Sequence, residues 1–176
     1  ANYFGADPSL LVVKEVSVDG GATWVDANSP TGPTLLEGTN PQFRYTVRNT
    51  GNVPLDVTLS DSDFGLPVGA DPGILAANNG VAGGPDEFVF MFTGATWAAG
   101  QHTNTATVSA TYTDNGNHTE TPTDTDDANY FGADPSLLVV KEVSEDEGVI
   151  YGVDHGGSRP IKQKETNRQF RYRVQQ

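Results

Sequence analysis

Two sets of side chains in this sequence have the types and spacing to do chemistry. The first is acidic: Asp124, Asp126 and Asp127 fall within four residues, and Asp134 follows seven positions after Asp127. Calcium takes about six to eight hard oxygens and tolerates irregular geometry, so carboxylates alternating with backbone carbonyls suit it. Asp61 and Asp63, with Asp71 nearby, make a weaker set of the same kind. An acidic run is usually just hydrated and self-repelling. Here it is closely bounded by apolar stretches, and Tyr130 and Phe131 are poor linker residues, so a joint calcium site is the expectation.

The second set is Lys14 with Asn104. In LLVVKEVS, Leu10, Val12, Lys14 and Val16 share one face of a strand, and in TNTATVSATYTD, Asn104, Ala106, Val108, Ala110 and Tyr112 do the same. If those faces are buried, an ammonium and an amide both enter the core, which is costly without compensation. Burial favours the neutral amine, and a neutral amine is a nucleophile. Its attack on the Asn104 side-chain carbonyl, with loss of ammonia, forms an isopeptide bond. A protonated carboxyl group must polarise the amide; Glu87, beside FVFMF, is the first candidate and Asp56 the second. The competing expectation is a lysine that snorkels at the rim, because Leu11 and Val13 make the opposite face apolar too.

The elements that position these groups are strands. SLLVVKEVS, QFRYTVRN, VPLDVTLS, EFVFMFTG and TNTATVSATYTD are rich in Val, Thr, Phe and Tyr and are separated by Gly, Pro, Asn and Asp. Asn79-Gly80 and Asn115-Gly116 suit tight turns with positive φ. No segment has convincing helical periodicity. This spacing of strands predicts an all-β fold, an Ig-like β-sandwich.

The chain also repeats itself. Ala1–Ser17 recurs without change as Ala128–Ser144, an offset of 127, and 10 of the next 32 positions match at the same offset, among them TNPQFRYTV on TNRQFRYRV. A gapless alignment at fixed spacing means that one fold begins again. The expectation is a complete module over 1–127, with its core over about 8–122 and an Asp-rich joint over 123–135, followed by the N-terminal part of the next repeat over 128–176. Both ends are expected to be cuts through a longer chain.

Charge and composition narrow the function. Of the 176 residues, 1–127 carry three basic groups against sixteen acids, while 128–176 carry seven of each, for a net charge of −13. Such a surface repels phosphate backbones, so nucleic acid is a poor partner. No run approaches the length of a membrane-spanning helix, so membrane insertion is not expected. There is no cysteine, hence no disulfide or thiolate chemistry. No Ser-His-Asp set or phosphate loop is legible, and the three histidines are scattered, so an enzyme is not expected. The outer-face threonines Thr103, Thr105 and Thr107 could meet a glycan, and Trp24 and Trp97 could stack on one, though solvated strand threonine and packed tryptophan are commoner.

The block KEVSVDGGATWVDANSPTGPTLLEGTNPQFRYTVRNTGNVPLDVTLSDSDF, followed by NTATV and DTDDANYFGA, resembles the Ig-like tandem repeats of large bacterial surface proteins and adhesins. The resemblance covers nearly all of residues 1–144 and fades over the charged tail Glu145–Lys164. It implies an extracellular location on the bacterial surface, a stalk or spacer role without catalysis, and neighbouring repeats of the same chain as partners. A module that grips a glycan or host protein is the alternative. An unfinished second sandwich could also pair with another copy through strand complementation.

Overall fold

The computed structural model describes residues 1–144, 152–153 and 169–175, and among these there is no helix. In chain order the strands are β1 (Leu10–Ser17), β2 (Thr34–Leu36), β3 (Gln42–Asn49), β4 (Leu55–Asp61), β5 (Gly73–Leu75), β6 (Glu87–Phe92), β7 (Gly100–Ala110), β8 (Tyr112–Thr113), β9 (Thr119–Glu120), β10 (Thr123–Ala133), β11 (Leu138–Ser144), β12 (Gly152–Val153) and β13 (Gln169–Gln175). The chain divides into two compact units, Ala1–Asp134 and Pro135–Gln176.

The first unit has a three-stranded sheet in the order β1-β3-β6, a five-stranded sheet in the order β2-β10-β7-β4-β5, and the small hairpin β8-β9. Period-2 alternation builds the core between the two larger sheets. Leu10, Val12 and Val16 from β1, with Phe43, Tyr45 and Val47 from β3, meet Leu55, Val57 and Leu59 from β4, Ala106 and Val108 from β7, and Ala128 and Tyr130 from β10. Burying one full Val, Leu or Phe side chain contributes about 1.5–3 kcal/mol, so this two-faced apolar layer is what holds the sheets together. On the edge strand β6 the pattern is weaker, with Val89 and Met91 exposed.

The chain crosses from one sheet to the other at NTGNVPL. Asn49 is 1% exposed, and its amide donates to the carbonyls of Val53 and Ala76, both at 2.7 Å, while its Oδ1 accepts the Gly51 N–H at 3.0 Å. A Cβ on Gly51 would lie 2.2 Å from the Asp7 carbonyl oxygen, which only glycine avoids. Asn52 ties the preceding segment down, accepting the Asp7 N–H and donating to the Gly5 carbonyl.

The stretch expected to be a joint is a strand. Thr123–Ala133 forms β10, antiparallel to β7 and parallel to β2, and the first compact unit runs to Asp134 rather than to Asp127. The repeated segment therefore lies in two environments. Tyr130 is 5% exposed and stacks on His102, whereas its copy Tyr3 is 97% exposed. The expected turn at Asn79-Gly80 has φ +74° at Gly80, but in the second turn the positive φ falls on Asn117, at 62°.

The loop after β1 is organised by Asp19, whose carboxylate accepts the Thr23 hydroxyl at 2.5 Å, the Thr23 N–H at 2.9 Å and the Ser17 hydroxyl at 2.8 Å. These bonds, the Thr23 hydroxyl first, hold the carboxyl pKa down to about 2. A carboxyl depressed in the folded state stabilises above its ordinary pKa of 3.8 and loses that contribution as the pH falls through about 2. An NMR titration of Asp19 is expected to show this low midpoint, and Thr23→Val to move it back toward the ordinary value.

In the second unit the sheet order is β12-β11-β13. Its β11/β13 pairing repeats β1/β3 residue for residue: Lys141 faces Tyr172 as Lys14 faces Tyr45, and Glu142 faces Arg171 as Glu15 faces Arg44. The ion pair recurs as well, at 2.6 Å in both places.

Candidate functional site: a buried lysine, aspartate and asparagine

Lys14 lies on β1 between Val12 and Val16, and strand alternation turns all three inward; its exposure is 0%. Asn104 reaches the same core from β7 and is 1% exposed. The structure thus places both sequence-predicted residues in the interior. What brings them together is Asp61, at the end of β4. Its Oδ2 accepts a hydrogen bond from Lys14 Nζ at 2.7 Å, and its Oδ1 accepts one from Asn104 Nδ2 at 2.6 Å. The lysine amine and the asparagine amide nitrogen sit on the two oxygens of one carboxylate.

Asp61 is itself closely held. Oδ2 also accepts the Tyr45 hydroxyl at 2.6 Å, and Oδ1 accepts the N–H groups of Asp63 at 3.0 Å and Phe64 at 3.2 Å. The Lys14 and Asp61 side chains are both fully buried, and the Lys14 ammonium lies 5.0 Å from the Phe43 ring centre and 5.3 Å from that of Tyr45. Burial lowers the Lys14 pKa, against the opposing pull of the Asp61 hydrogen bond and charge. Burial also works against the Asp61 charge, but the hydrogen bonds from Lys14 and Tyr45 outweigh it and leave the carboxyl below its ordinary value. The Tyr45 hydroxyl is pushed up by burial and then by its bond to Asp61, so it remains a donor.

The ion pair and the neutral amine–acid pair differ only by one proton moved across that 2.7 Å bond. A dry interior penalises the charge-separated form, which brings the nucleophilic amine within reach. The amide is oriented but incompletely satisfied: Asn104 Oδ1 is a buried acceptor without a hydrogen-bond partner among the described residues. An acceptor left in this state is costly in a finished core.

Glu87 does not supply the carboxyl group. It lies opposite Arg48 on the outer face of the β3/β6 pair and forms an ion pair with it. Asp56 is exposed between the inward-facing Leu55 and Val57. Asp61, grouped by sequence with Asp63 as a weak calcium pair, continues the Leu55, Val57, Leu59 alternation to its next inward position. That parity was the available signal.

The acidic stretch is dispersed along β10. Asp124 and Asp126 point across to the other sheet, where their Oδ2 atoms accept the Val12 N–H at 2.8 Å and the Lys14 N–H at 2.6 Å. These N–H groups lie on the free edge of β1. Asp127 points the other way and accepts the Thr105 hydroxyl at 2.6 Å, and Asp134 is exposed just past the strand. Asp63 is exposed, and Asp71 accepts the Leu59 N–H. Among the described residues, no group of three or more His, Asp or Glu side chains is gathered as a metal would require. On β7, Thr103 and Thr105 are engaged by Asn129 and Asp127. Trp97 packs on the core and donates to the Leu35 carbonyl, and Trp24 lies under the Arg44 guanidinium.

No family description, curated protein or solved structure matches this chain.

Proposed function

We propose that this chain is made of structural repeats of the Ig-like kind that form stalks of large bacterial surface proteins and adhesins, and that its first unit is locked by an isopeptide bond between Lys14 and Asn104. The observation that carries the proposal is the single buried carboxylate of Asp61 holding both reacting groups. The 127-residue repeat supports the serial arrangement.

The chemistry balances within the unit. A proton passes from Lys14 Nζ to Asp61, and the freed lone pair attacks Asn104 Cγ. The Nζ–Cγ bond forms as the adduct passes a second Nζ proton, through Asp61, to Nδ2. The Cγ–Nδ2 bond then breaks and ammonia leaves. The proton held by Asp61 departs with it as ammonium, and the carboxylate is restored. No outside reactant is consumed, and each unit reacts once.

The product suits a cysteine-free rod. Lys14 on β1 and Asn104 on β7 belong to opposite sheets, so the bond ties the sandwich across its middle. Pulling the sheets apart then requires breaking a covalent bond. Calcium is not needed for this reading, because Asp124 and Asp126 are already held by backbone N–H groups.

Intact mass of the folded protein is expected to fall about 17 Da below the sequence mass, the weight of one ammonia. Proteolytic mapping should join the Lys14 and Asn104 peptides. A folded protein of unmodified mass would falsify the bond.

A further inference from the structure

The loop between β5 and β6 holds a buried carboxylate that the cross-link does not use. Asp86 is 6% exposed. Its Oδ2 accepts one long hydrogen bond, from the Asn79 N–H at 3.4 Å, and its Oδ1 is buried without a partner among the described residues. The Arg48 guanidinium lines the same cavity, of about 290 Å³, but pairs with Glu87. A buried carboxylate so poorly compensated is costly. The fold nonetheless fixes it in place: the Asp86 carbonyl accepts the Asn49 N–H at 2.9 Å, and the Pro85 carbonyl accepts the Ala76 N–H at 3.0 Å, closing the loop.

The groups gathered around Oδ1 are of the types that hard cations take. A Cβ on Gly84 would lie 2.6 Å from Asp86 Oδ1, 2.9 Å from the Asn79 amide nitrogen and 3.2 Å from the Val81 carbonyl oxygen. Three polar groups therefore converge on the bare Cα of Gly84, and a side chain there would push them apart. Asn78, Gly80 and Val81 line the cavity together with Asp86, so the cluster borders space that water can fill.

We propose that the 78–86 loop binds one hard divalent cation of calcium's size. Asp86 Oδ1 is its charged ligand, the Val81 carbonyl and an Asn side-chain oxygen are neutral ones, and water from the cavity completes the shell. Calcium takes carbonyl, amide and water oxygens at irregular angles, so the site needs no gathering of three acidic side chains. Magnesium demands a regular octahedron and gives up its water reluctantly. The site is separate from the aspartates of β10 and independent of the Lys14–Asn104 bond. The ion fastens the loop to the crossing segment through Asp86 and Asn49, and it makes the stability of the first unit follow calcium by mass action.

The test is calcium binding to the whole chain, read by calorimetric titration and by thermal unfolding in excess chelator and in millimolar calcium. The parent is expected to bind one calcium ion at this loop and its unfolding midpoint to rise with calcium, with a smaller rise at equal magnesium. Asp86→Asn, nearly the same in shape, is expected to weaken binding by about tenfold or more and to remove the rise. In chelator its midpoint should be no lower than the parent's, since it no longer buries an uncompensated charge. Gly84→Ala gives a second reading with no acidic group removed. Its backbone lies outside the left-handed region, and its Cβ displaces Asp86 Oδ1, so the rise should shrink. The double variant Asp124→Ala, Asp126→Ala should keep the full rise. Equal midpoints for the parent in chelator and in calcium, as a buried water on Oδ1 would give, overturn the site. So does a rise that is lost only with the β10 aspartates. A deficit of Asp86→Asn against the parent that is as large in chelator as in calcium marks a purely structural carboxylate and overturns it too.

Discussion

Asp61→Ala is expected to return the protein to its full sequence mass and to lower its melting temperature by about 15 °C or more. Two losses combine. The relay that removes the lysine proton is gone, so the Lys14–Asn104 bond does not form. The buried ammonium also loses its only charged hydrogen-bond partner among the described residues. Removing one member of a buried ion pair costs about 3–5 kcal/mol. A cross-link closing a loop of this length contributes about 4–5 kcal/mol in the chain-entropy account. For a unit of this size each kcal/mol moves the melting temperature by about 2–4 °C or more. The two losses need not add fully, because both act through Lys14.

Paired variants separate them. Lys14→Met removes the bond and the ammonium, and the Asp61 carboxyl group left behind keeps the Tyr45 hydroxyl, the Asn104 amide and the N–H groups of Asp63 and Phe64 as donors, whereas Asp61→Ala strands an ammonium in the core. It should therefore be more stable than Asp61→Ala although neither carries the bond. Asn104→Asp offers a different check: an acid in place of the amide condenses with the amine by losing water, about 18 Da instead of about 17 Da. Two carboxyl groups sharing one site cannot both ionise readily, so one stays protonated as the reaction needs. Retention of a cross-link in Asn104→Asp and its absence in Asp61→Asn would assign the relay to Asp61.

The inward faces of β1, β3, β4 and β7 were legible because alternation is a local property, and it placed Lys14 and Asn104 correctly. The same rule carried two residues past Leu59 reaches Asp61, but the Asp-Ser-Asp spelling made that segment look like a solvated loop. β10 was not legible. TDTDD has the composition of a hydrated linker, and its strand state depends on β7 and β1, which pair with it or offer edge N–H groups more than 100 residues upstream in the case of β1. Tyr3 and Tyr130 make the point within one chain: the two residues before and the fourteen after are the same, but only Tyr130 follows residues 123–127 and is paired with β7, and burial is opposite. Tertiary surroundings override local sequence for β-strands in this way. The short strands β2 and β5, three residues each, are below the length at which alternation can be read.

The aspartates of β10 give the second large effect, and it concerns the sheets rather than the bond. β1 is an edge strand, and an edge exposes N–H groups that must find acceptors or water. Asp124 and Asp126 satisfy the Val12 and Lys14 N–H groups from the opposing sheet, so they both cap the edge and fasten the two layers. Burial pushes the Asp126 pKa up against the pull of the Lys14 N–H, which marks a carboxylate kept for its hydrogen bond at some electrostatic cost. Leaving a buried donor unsatisfied costs about 1–3 kcal/mol. The double variant Asp124→Ala, Asp126→Ala is therefore expected to lose about 2–6 kcal/mol in denaturant unfolding, with the loss as large in excess chelator as in millimolar calcium. A joint cation predicts the reverse pattern: the parent would be stabilised by calcium through mass action, and the variant would differ from it only when calcium is present. Equal unfolding midpoints for parent and variant in chelator would remove the inter-sheet role of these two carboxylates. Because Asp126 bonds the backbone of Lys14 itself, the variant also tests whether the lysine is aimed by that strand-edge contact. Slower loss of ammonia in newly folded Asp126→Ala, followed by mass over time, is the expected sign of it.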